Sequence, residues 1–233
     1  MARNRKKNQS KNSKIRHLIT KMNPRSPIAE QFRTVRTNLQ FSSADHELKS
    51  LMVTSSGPSE GKSSSAANLA VVYAQQGKKV LLVDSDMRKP TVHYTFRLDN
   101  LSGLSNILVG DASLQDTVTY SDVENLDVIA CGPIPPNPSE LLGSRRMEQF
   151  IKEAKMAYDI ILFDTPPVLA VTDAQILANL CDGSMLIVRS KQTEYESAEK
   201  SIDVLQSSTA KFLGTVLNGV EKKKANYYYY YGT

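Results

Sequence analysis

Three groups of residues could do chemistry in this sequence. The first is the segment Leu51-Met-Val-Thr-Ser-Ser-Gly57-Pro58-Ser59-Glu60-Gly61-Lys62-Ser63-Ser64. An apolar run, a glycine-bearing loop and a Lys-Ser pair suit phosphate binding. Backbone N–H groups of such a loop cradle phosphate oxygens, and the following helix N-terminus adds a favourable dipole. The consensus G-x-x-x-x-G-K-[ST] wants Gly at 56, where this chain has Ser56; Gly61, Lys62 and Ser63 fit it. Residues Gly57 to Ser64 would then hold the phosphates of a nucleotide, with Lys62 on the β- and γ-phosphates and the Ser63 hydroxyl on Mg²⁺. The plainer alternative is a Ser/Gly-rich turn before a helix.

The second group is acidic. Val80-Leu-Leu-Val-Asp84-Ser-Asp86-Met-Arg88-Lys89-Pro90 and Ile160-Ile-Leu-Phe-Asp164-Thr-Pro-Pro each end an apolar run on carboxylates. In a parallel sheet the strand C-termini line the ligand crevice. Asp84, Asp86 and Asp164 are therefore expected to converge on the phosphates held at 57–64. Carboxylates so placed repel one another unless a cation sits among them, and Mg²⁺ on a nucleotide supplies one. A single Asp after a strand is as well explained as a turn or cap residue; three in this order beside the loop are not.

The third group is Tyr227, Tyr228, Tyr229, Tyr230 and Tyr231, half of the chain's 10 tyrosines, just after Lys222-Lys223-Lys224. From the run alone three readings stand: a cluster of phosphoacceptors, a stacking platform for single-stranded nucleic acid with the lysines on its phosphates, or an adhesive disordered end.

Alternating elements are needed to position these groups. Ile28, Phe32, Val35 and Leu39 recur at helical spacing and predict an amphipathic helix over 28–41. Strands are expected at 51–53, 79–83, 126–130, 159–163, 184–188 and 212–217. Helices are expected at 62–76, 103–109, 144–157, 172–180 and 194–206. Apolar strands alternating with helices mean a doubly wound, mostly parallel α/β sheet covered on both faces. Apart from the short helix at 103–109, the stretch 88–125 has no clear assignment.

The 233 residues suffice for one large domain. The expected organisation is a flexible basic tail over 1–27, a domain over 28–220 and a flexible tyrosine-rich tail over 221–233. Nine of the 29 Lys and Arg fall in residues 1–25, which hold no acid; the remaining 20 face 24 acids, so the body has a net charge near −4. That argues against a nucleic-acid-binding body, and leaves a tail able to bind phosphates or anionic lipid. Cys131 and Cys181 lack metal-ligand spacing and suit buried thiols in a reducing compartment. No run approaches the ~20 apolar residues that span a bilayer, and the N-terminus has no signal-peptide pattern. The expectation is a cytoplasmic protein.

Taken together, the loop through Lys62-Ser63, h-h-h-Asp84-x-Asp86-x-Arg88 and h-h-h-Asp164-x-Pro-Pro resemble the Walker A, A′ and B motifs of the bacterial protein-tyrosine kinases (BY-kinases). The resemblance runs over residues 28–233 and includes Gly132-Pro-Ile-Pro-Pro-Asn-Pro-Ser-Glu-Leu, Thr172-Asp173-Ala174 and the tyrosine tail. It is strongest toward the separate cytoplasmic kinase subunits of Gram-positive capsule or exopolysaccharide systems. It implies a P-loop NTPase fold and ATP with Mg²⁺ as cofactors. It assigns Lys62, Asp84 and Asp86 to catalysis, Ser63, Asp86 and Asp164 to the metal, and Tyr227–Tyr231 to the role of acceptor. Asp84 is the family's candidate base, although sequence alone does not separate base from ligand between Asp84 and Asp86.

Glu30, Arg33 and Arg36 fall on one helix face, where surface ion pairing is the ordinary reading. They match the family's E-x-x-R-x-x-R oligomerisation motif, which implies a ring-like homo-oligomer in which tails enter neighbouring sites. The implied partners are a membrane-bound activator that recruits the kinase to the inner membrane face, tyrosine-containing protein substrates and a phosphotyrosine phosphatase. Two rivals remain. Partition and cell-division ATPases share the arrangement, but their loop opens with a signature Lys at the position of Gly57. A nucleic-acid adaptor would use the basic end and the tyrosines.

Overall fold

A computed structural model describes residues 18–42 and 47–221. The chain runs α1 (Ile19–Met22), α2 (Pro27–Ser42), β1 (Ser50–Ser55), α3 (Lys62–Ala74), β2 (Val80–Asp84), α4 (Val92–Phe96), α5 (Leu104–Val109), α6 (Leu114–Thr117) and β3 (Thr119–Tyr120). It continues with β4 (Leu126–Ile129), α7 (Pro138–Leu142), α8 (Arg145–Ala157), β5 (Ile160–Asp164), α9 (Asp173–Ala178), β6 (Gly183–Arg189), α10 (Tyr195–Gln206) and β7 (Lys211–Asn218). The seven strands form one sheet in the order β3-β4-β2-β5-β1-β6-β7. All pairings are parallel except β3 with β4.

The central strands are buried along their whole length and mostly apolar because helices cover both of their faces. Alternate residues feed opposite cores. Met52, Leu81, Val83, Ile161 and Phe163 pack on one side, where α8 brings Met147, Phe150 and Ile151. Leu51, Val53, Leu82 and Leu162 pack on the other against Leu69 and Val72 of α3. Cys131 and Cys181 are buried free thiols, as expected, and Met52, Met87 and Met185 fill core space.

Some elements depart from expectation. The stretch 88–125 holds the expected short helix, α5, and adds α4, α6 and β3, whose two residues are too few to show a period. The face of α2 is rotated slightly: Ala29 and Leu39 are buried, whereas Ile28 is exposed. Residues 18–27, expected in the basic tail, include the helical turn α1. Thr20 is fully buried, and its N–H and Oγ1 both donate to Asn68 Oδ1 at 3.0 and 2.9 Å. Gln75 Nε2 closes the clamp on Thr20 O at 3.0 Å. The folded body thus includes a segment docked on α3, the helix that starts at Lys62. Residues 1–17 and 222–233, and with them most of both expected tails, lie outside the described residues. No helix among the described residues is long and apolar enough to cross a membrane.

Replacing Asn68 by Ala leaves the buried Thr20 N–H and hydroxyl without that acceptor. The expected cost is about 1–3 kcal/mol, read as a lower urea midpoint at unchanged slope. An unchanged midpoint would show that the clamp contributes nothing.

Candidate active site

The sheet order makes β2, β5 and β1 consecutive neighbours. The three chemical motifs follow these strands, so register sets their distances. Asp84 stands opposite Asp164, and Asp164 opposite Val53 of β1. Ser85 N–H donates to Asp164 O at 2.8 Å, which extends the pairing one residue past β2.

Between β1 and α3 the chain turns through Ser59 (φ 65°) and Gly61 (φ 100°). Gly61 is required twice over: its φ is left-handed, and a Cβ there would lie 2.1 Å from Asn218 Nδ2. The α3 N-cap is Gly61, without a side-chain hydrogen bond, so the helix start presents backbone donors uncapped by a side chain. Pro58 and Ser59 are exposed, Gly57 and Ser64 half-buried and Ser63 buried. Glu60 turns its carboxylate back into the loop, where Oε2 accepts from Ser56 N–H at 2.9 Å and Oε1 from the Thr193 hydroxyl at 2.6 Å. Asn218 Nδ2 donates to Glu60 O at 2.9 Å and Arg189 Nη1 to Ser59 O at 3.2 Å. The loops after β6 and β7 thereby hold the phosphate loop open in shape.

Lys62 is the centre of charge. Its Nζ lies 2.8 Å from Asp86 Oδ2, 3.3 Å from Asp164 Oδ1 and 3.3 Å from Ser63 Oγ. Burial works against the ammonium, yet Asp164 and Asp86 outweigh it and raise its pKa. Asp86 Oδ1 accepts from Lys89 N–H at 3.0 Å. Asp84 is fully buried; its Oδ2 accepts from Thr91 and Val92 N–H at 2.9 Å each, and Oδ1 takes a longer 3.3 Å contact from Asp86 N–H. Burial, then repulsion from Asp164, pushes the Asp84 carboxyl up to about 8.

The expected residues Lys62, Ser63, Asp84, Asp86 and Asp164 are thus brought together. The expected cation among the carboxylates is, in this chain's own atoms, the Lys62 ammonium. Among the described residues no three His, Cys, Asp or Glu side chains form a metal cage by themselves. Mg²⁺ ordinarily takes one or two carboxylates together with waters and substrate phosphates. The uncapped helix start, the Ser63 hydroxyl and the paired Asp86 and Asp164 fit a Mg²⁺-bearing nucleotide.

Sequence reasoning missed the brace behind this site. Arg88 Nε and Nη2 each lie 2.9 Å from the two oxygens of Asp173, which is fully buried, and Ser139 Oγ donates to Asp173 Oδ1 at 2.8 Å. This ties the loop after β2 to α7 and α9, just beyond Asp86. Arg88 and Asp173 stood inside recognised motifs, so their types were visible; their pairing across 85 residues was not. Thr193 gave no signal at all.

Glu30, Arg33 and Arg36 do not share one open face. Arg33 pairs with Glu30 at 2.8 Å and donates to Pro24 O at 2.6 Å. Arg36 turns inward, its Nη1 donating to Val72 O at 2.7 Å at the carboxyl end of α3, where a cation is favoured by the helix dipole. Tyr227–Tyr231 lie outside the described residues.

Because the folded Asp84 carboxyl titrates near 8 against 3.8 in an unfolded chain, the folded state holds a proton there that the unfolded state loses. The stability from this group is complete below the unfolded pKa and is lost as pH rises through the folded one. Asp84→Asn should therefore flatten a decline in unfolding free energy between about pH 4 and 8. Parallel curves for both proteins would show Asp84 ionised throughout.

Residues 48–207 match the AAA domain family. The chain is 52% identical over 218 residues to the tyrosine-protein kinase YwqD of Bacillus subtilis, covering 94% of this chain and 92% of that one. It is 44% identical to a putative tyrosine-protein kinase, CapB, of Staphylococcus aureus, over 95% of this chain and 98% of the relative. Its fold superposes on the crystal structure of the chimerical protein CapA2B2 with a TM-score of 0.85 and 43% identity, covering 89% of this chain and 93% of the other. With its seven-stranded sheet, P-loop NTPase fold and lysine-centred carboxylate site, the chain belongs to the bacterial protein-tyrosine kinases.

Proposed function

We propose that this kinase transfers the γ-phosphoryl group of ATP to tyrosine, on Tyr227–Tyr231 of a neighbouring copy and on other proteins, and so regulates capsular or exopolysaccharide synthesis and export. The observation that carries the proposal is the buried Lys62 ammonium between Asp86 and Asp164, at the start of a helix with no side-chain cap.

When bound, Mg·ATP supplies the phosphoryl group and a divalent charge that offsets its oxygens. Residues Gly57 to Ser64 hold the phosphates through backbone N–H groups. Lys62 leaves its carboxylates and stabilises negative charge on the transferred group. Ser63, Asp86 and Asp164 would hold the metal. Asp84 takes the acceptor's proton at Oδ1, the oxygen with the long contact. A phenol of pKa ~10 needs such a base as its oxygen attacks, and a carboxyl raised toward neutrality is well matched to that work.

The remaining assignments rest on the family. A membrane-bound activator would recruit the protein from the cytoplasm to the inner face of the membrane, and a phosphotyrosine phosphatase would reset it. Glu30 and Arg33 lie toward the surface of α2 and would contribute to ring contacts. Arg36 would do so by fixing α2 on α3. Each phosphate adds about −1.5 to −2 charges to a mildly acidic body, so full modification should disperse the ring.

Incubation with Mg·ATP and a cognate activator segment, followed by mass spectrometry, is expected to place phosphate on Tyr227–Tyr231. Lys62→Ala should abolish it, and Asp84→Asn should lower the rate at least ~100-fold with nucleotide binding retained. Steady ATP hydrolysis without phosphotyrosine would instead favour a positioning ATPase, the rival that Gly57 argues against.

A further inference from the structure

The phosphate site gives no role to the nine Lys and Arg of residues 1–25. Seven of them precede Leu18, and residues 1–17 hold no acid. The structure shows where this segment joins the body. Leu18 is buried in the core that holds Leu69 and Val72 of α3. Thr20 is clamped between Asn68, midway along α3, and Gln75 just past its end. Lys21 pairs with Asp122, in the turn between β3 and β4. α2 lies on the same helix, with Arg36 Nη1 on Val72 O and Gln40 Nε2 on Gln76 Oε1 at 3.1 Å. Helices α1, α2 and α3 therefore form one flank of the sheet. Gln75 stands thirteen residues past Lys62, which is ~20 Å along the helix axis. The basic segment thus joins the body on this flank and not at the strand ends that carry Asp84 and Asp164.

The flank has the same sign as the segment. Residues 18–42 hold Lys21, Arg25, Arg33 and Arg36 against a single acid, Glu30. Residues 62–79 hold Lys62, Lys78 and Lys79 and no acid. Arg25, Lys78 and Lys79 are exposed. Glu30 and Asp122 are each matched by a cation, Arg33 and Lys21. Residues 26–233 as a whole carry 20 basic and 24 acidic side chains. An anionic partner is therefore drawn to this flank and repelled by much of the remaining surface.

We infer that this flank, together with the basic segment 1–25, docks directly on an anionic phospholipid surface. The contact belongs to this chain itself and is additional to any held through an activator. It stands whether or not Tyr227–Tyr231 accept phosphate. Each Lys or Arg held near such a surface is worth about fivefold in affinity. Docked this way, α1, α2 and the segment face lipid. The phosphate loop opens at the carboxyl end of the sheet and stays in water.

Composition favours lipid over nucleic acid. Residues 1–25 contain no Phe, Tyr or Trp, so they offer no base a stacking platform. Apolar side chains stand among the cations instead. Met22 is 68% exposed and Ile28 is 40% exposed, three residues before and after Arg25. A bilayer surface accepts both kinds of side chain, phosphates taking the cations and the acyl boundary the apolar groups. A phosphodiester backbone rewards only the cations.

The test is co-sedimentation of the full-length chain with vesicles, with no activator present. Phosphatidylcholine vesicles carrying about 30% phosphatidylglycerol should bind it, and pure phosphatidylcholine should not. Roughly 0.5 M salt should weaken the binding at least tenfold. Arg3→Gln/Arg5→Gln/Lys6→Gln/Lys7→Gln should weaken it at least ~100-fold, with the urea midpoint unchanged. Met22→Ser/Arg25→Gln, on the folded flank, should weaken it at least ~5-fold. Equal binding to both kinds of vesicle, or unchanged affinity in either variant, would overturn the inference. Release from the vesicles by a single-stranded oligonucleotide at equal phosphate concentration would also overturn it and assign the segment to nucleic acid.

Discussion

A buried ammonium among buried carboxylates is the interaction on which this site depends. Lys62 lies within 3.3 Å of both Asp86 and Asp164, and the two carboxylates are nearly or fully buried. Removing several charges from water costs more than most single contacts return. The arrangement persists because each charge meets an opposite one and backbone donors satisfy other oxygens. The carboxyl left facing like charge at close range is Asp84, and its upward shift expresses the imbalance. One cation holds Asp86 and Asp164, so their neighbour carries a proton near neutral pH.

That charge cluster exists only because of strand order. With β2, β5 and β1 adjacent, the Asp84–Asp164 register and the loop after β1 bring the motifs together without any long side chain having to reach. The braces then act at the rear. Arg88 on buried Asp173 fixes the segment after Asp86, and Glu60 with Thr193 and Asn218 fixes the phosphate loop. Both braces are polar, and both join segments far apart in sequence. Their loss would leave the fold intact but the site loose, because the apolar cores lie against the strands and not the loops.

This division explains what was legible. The α/β alternation, the central strands and the assembly of Lys62, Ser63, Asp84, Asp86 and Asp164 could be read because each is announced by local pattern: apolar runs, a glycine loop and carboxylates at strand ends. Thr20 was invisible because it lies in a polar, basic stretch and its docking partners, Asn68 and Gln75, are 48 and 55 residues away. Arg36 carried a pattern with two meanings, a surface ion pair or a ring contact, and adopts a third, capping the end of α3. Glu60 had the spacing of a phosphate-loop residue, but its side chain serves the loop's own shape. Where a residue's role is set by a partner distant in sequence, one sequence read alone does not contain it.

The same charge logic bears on how the site would turn over. In this structure Lys62 is spent on Asp86 and Asp164, the carboxylates also assigned to the metal. Lys62 cannot serve both them and a phosphate at full strength, so occupation of the loop has to be an exchange of partners. Were Lys62 to move to phosphate oxygens, Asp86 and Asp164 would be left with their negative charge, and a divalent cation would be the replacement that keeps the buried charge balanced. Phosphate and metal should therefore enter together, each relieving the imbalance the other creates. A more strongly charged cation nearby also lowers the cost of ionising Asp84. Asp84, the base of the proposed reaction, would thus be readied by the same event that fills the site, and holds its proton near neutral pH when the loop is bare. Coupling of this kind needs no moving domain. It follows from burying three carboxylates around one lysine.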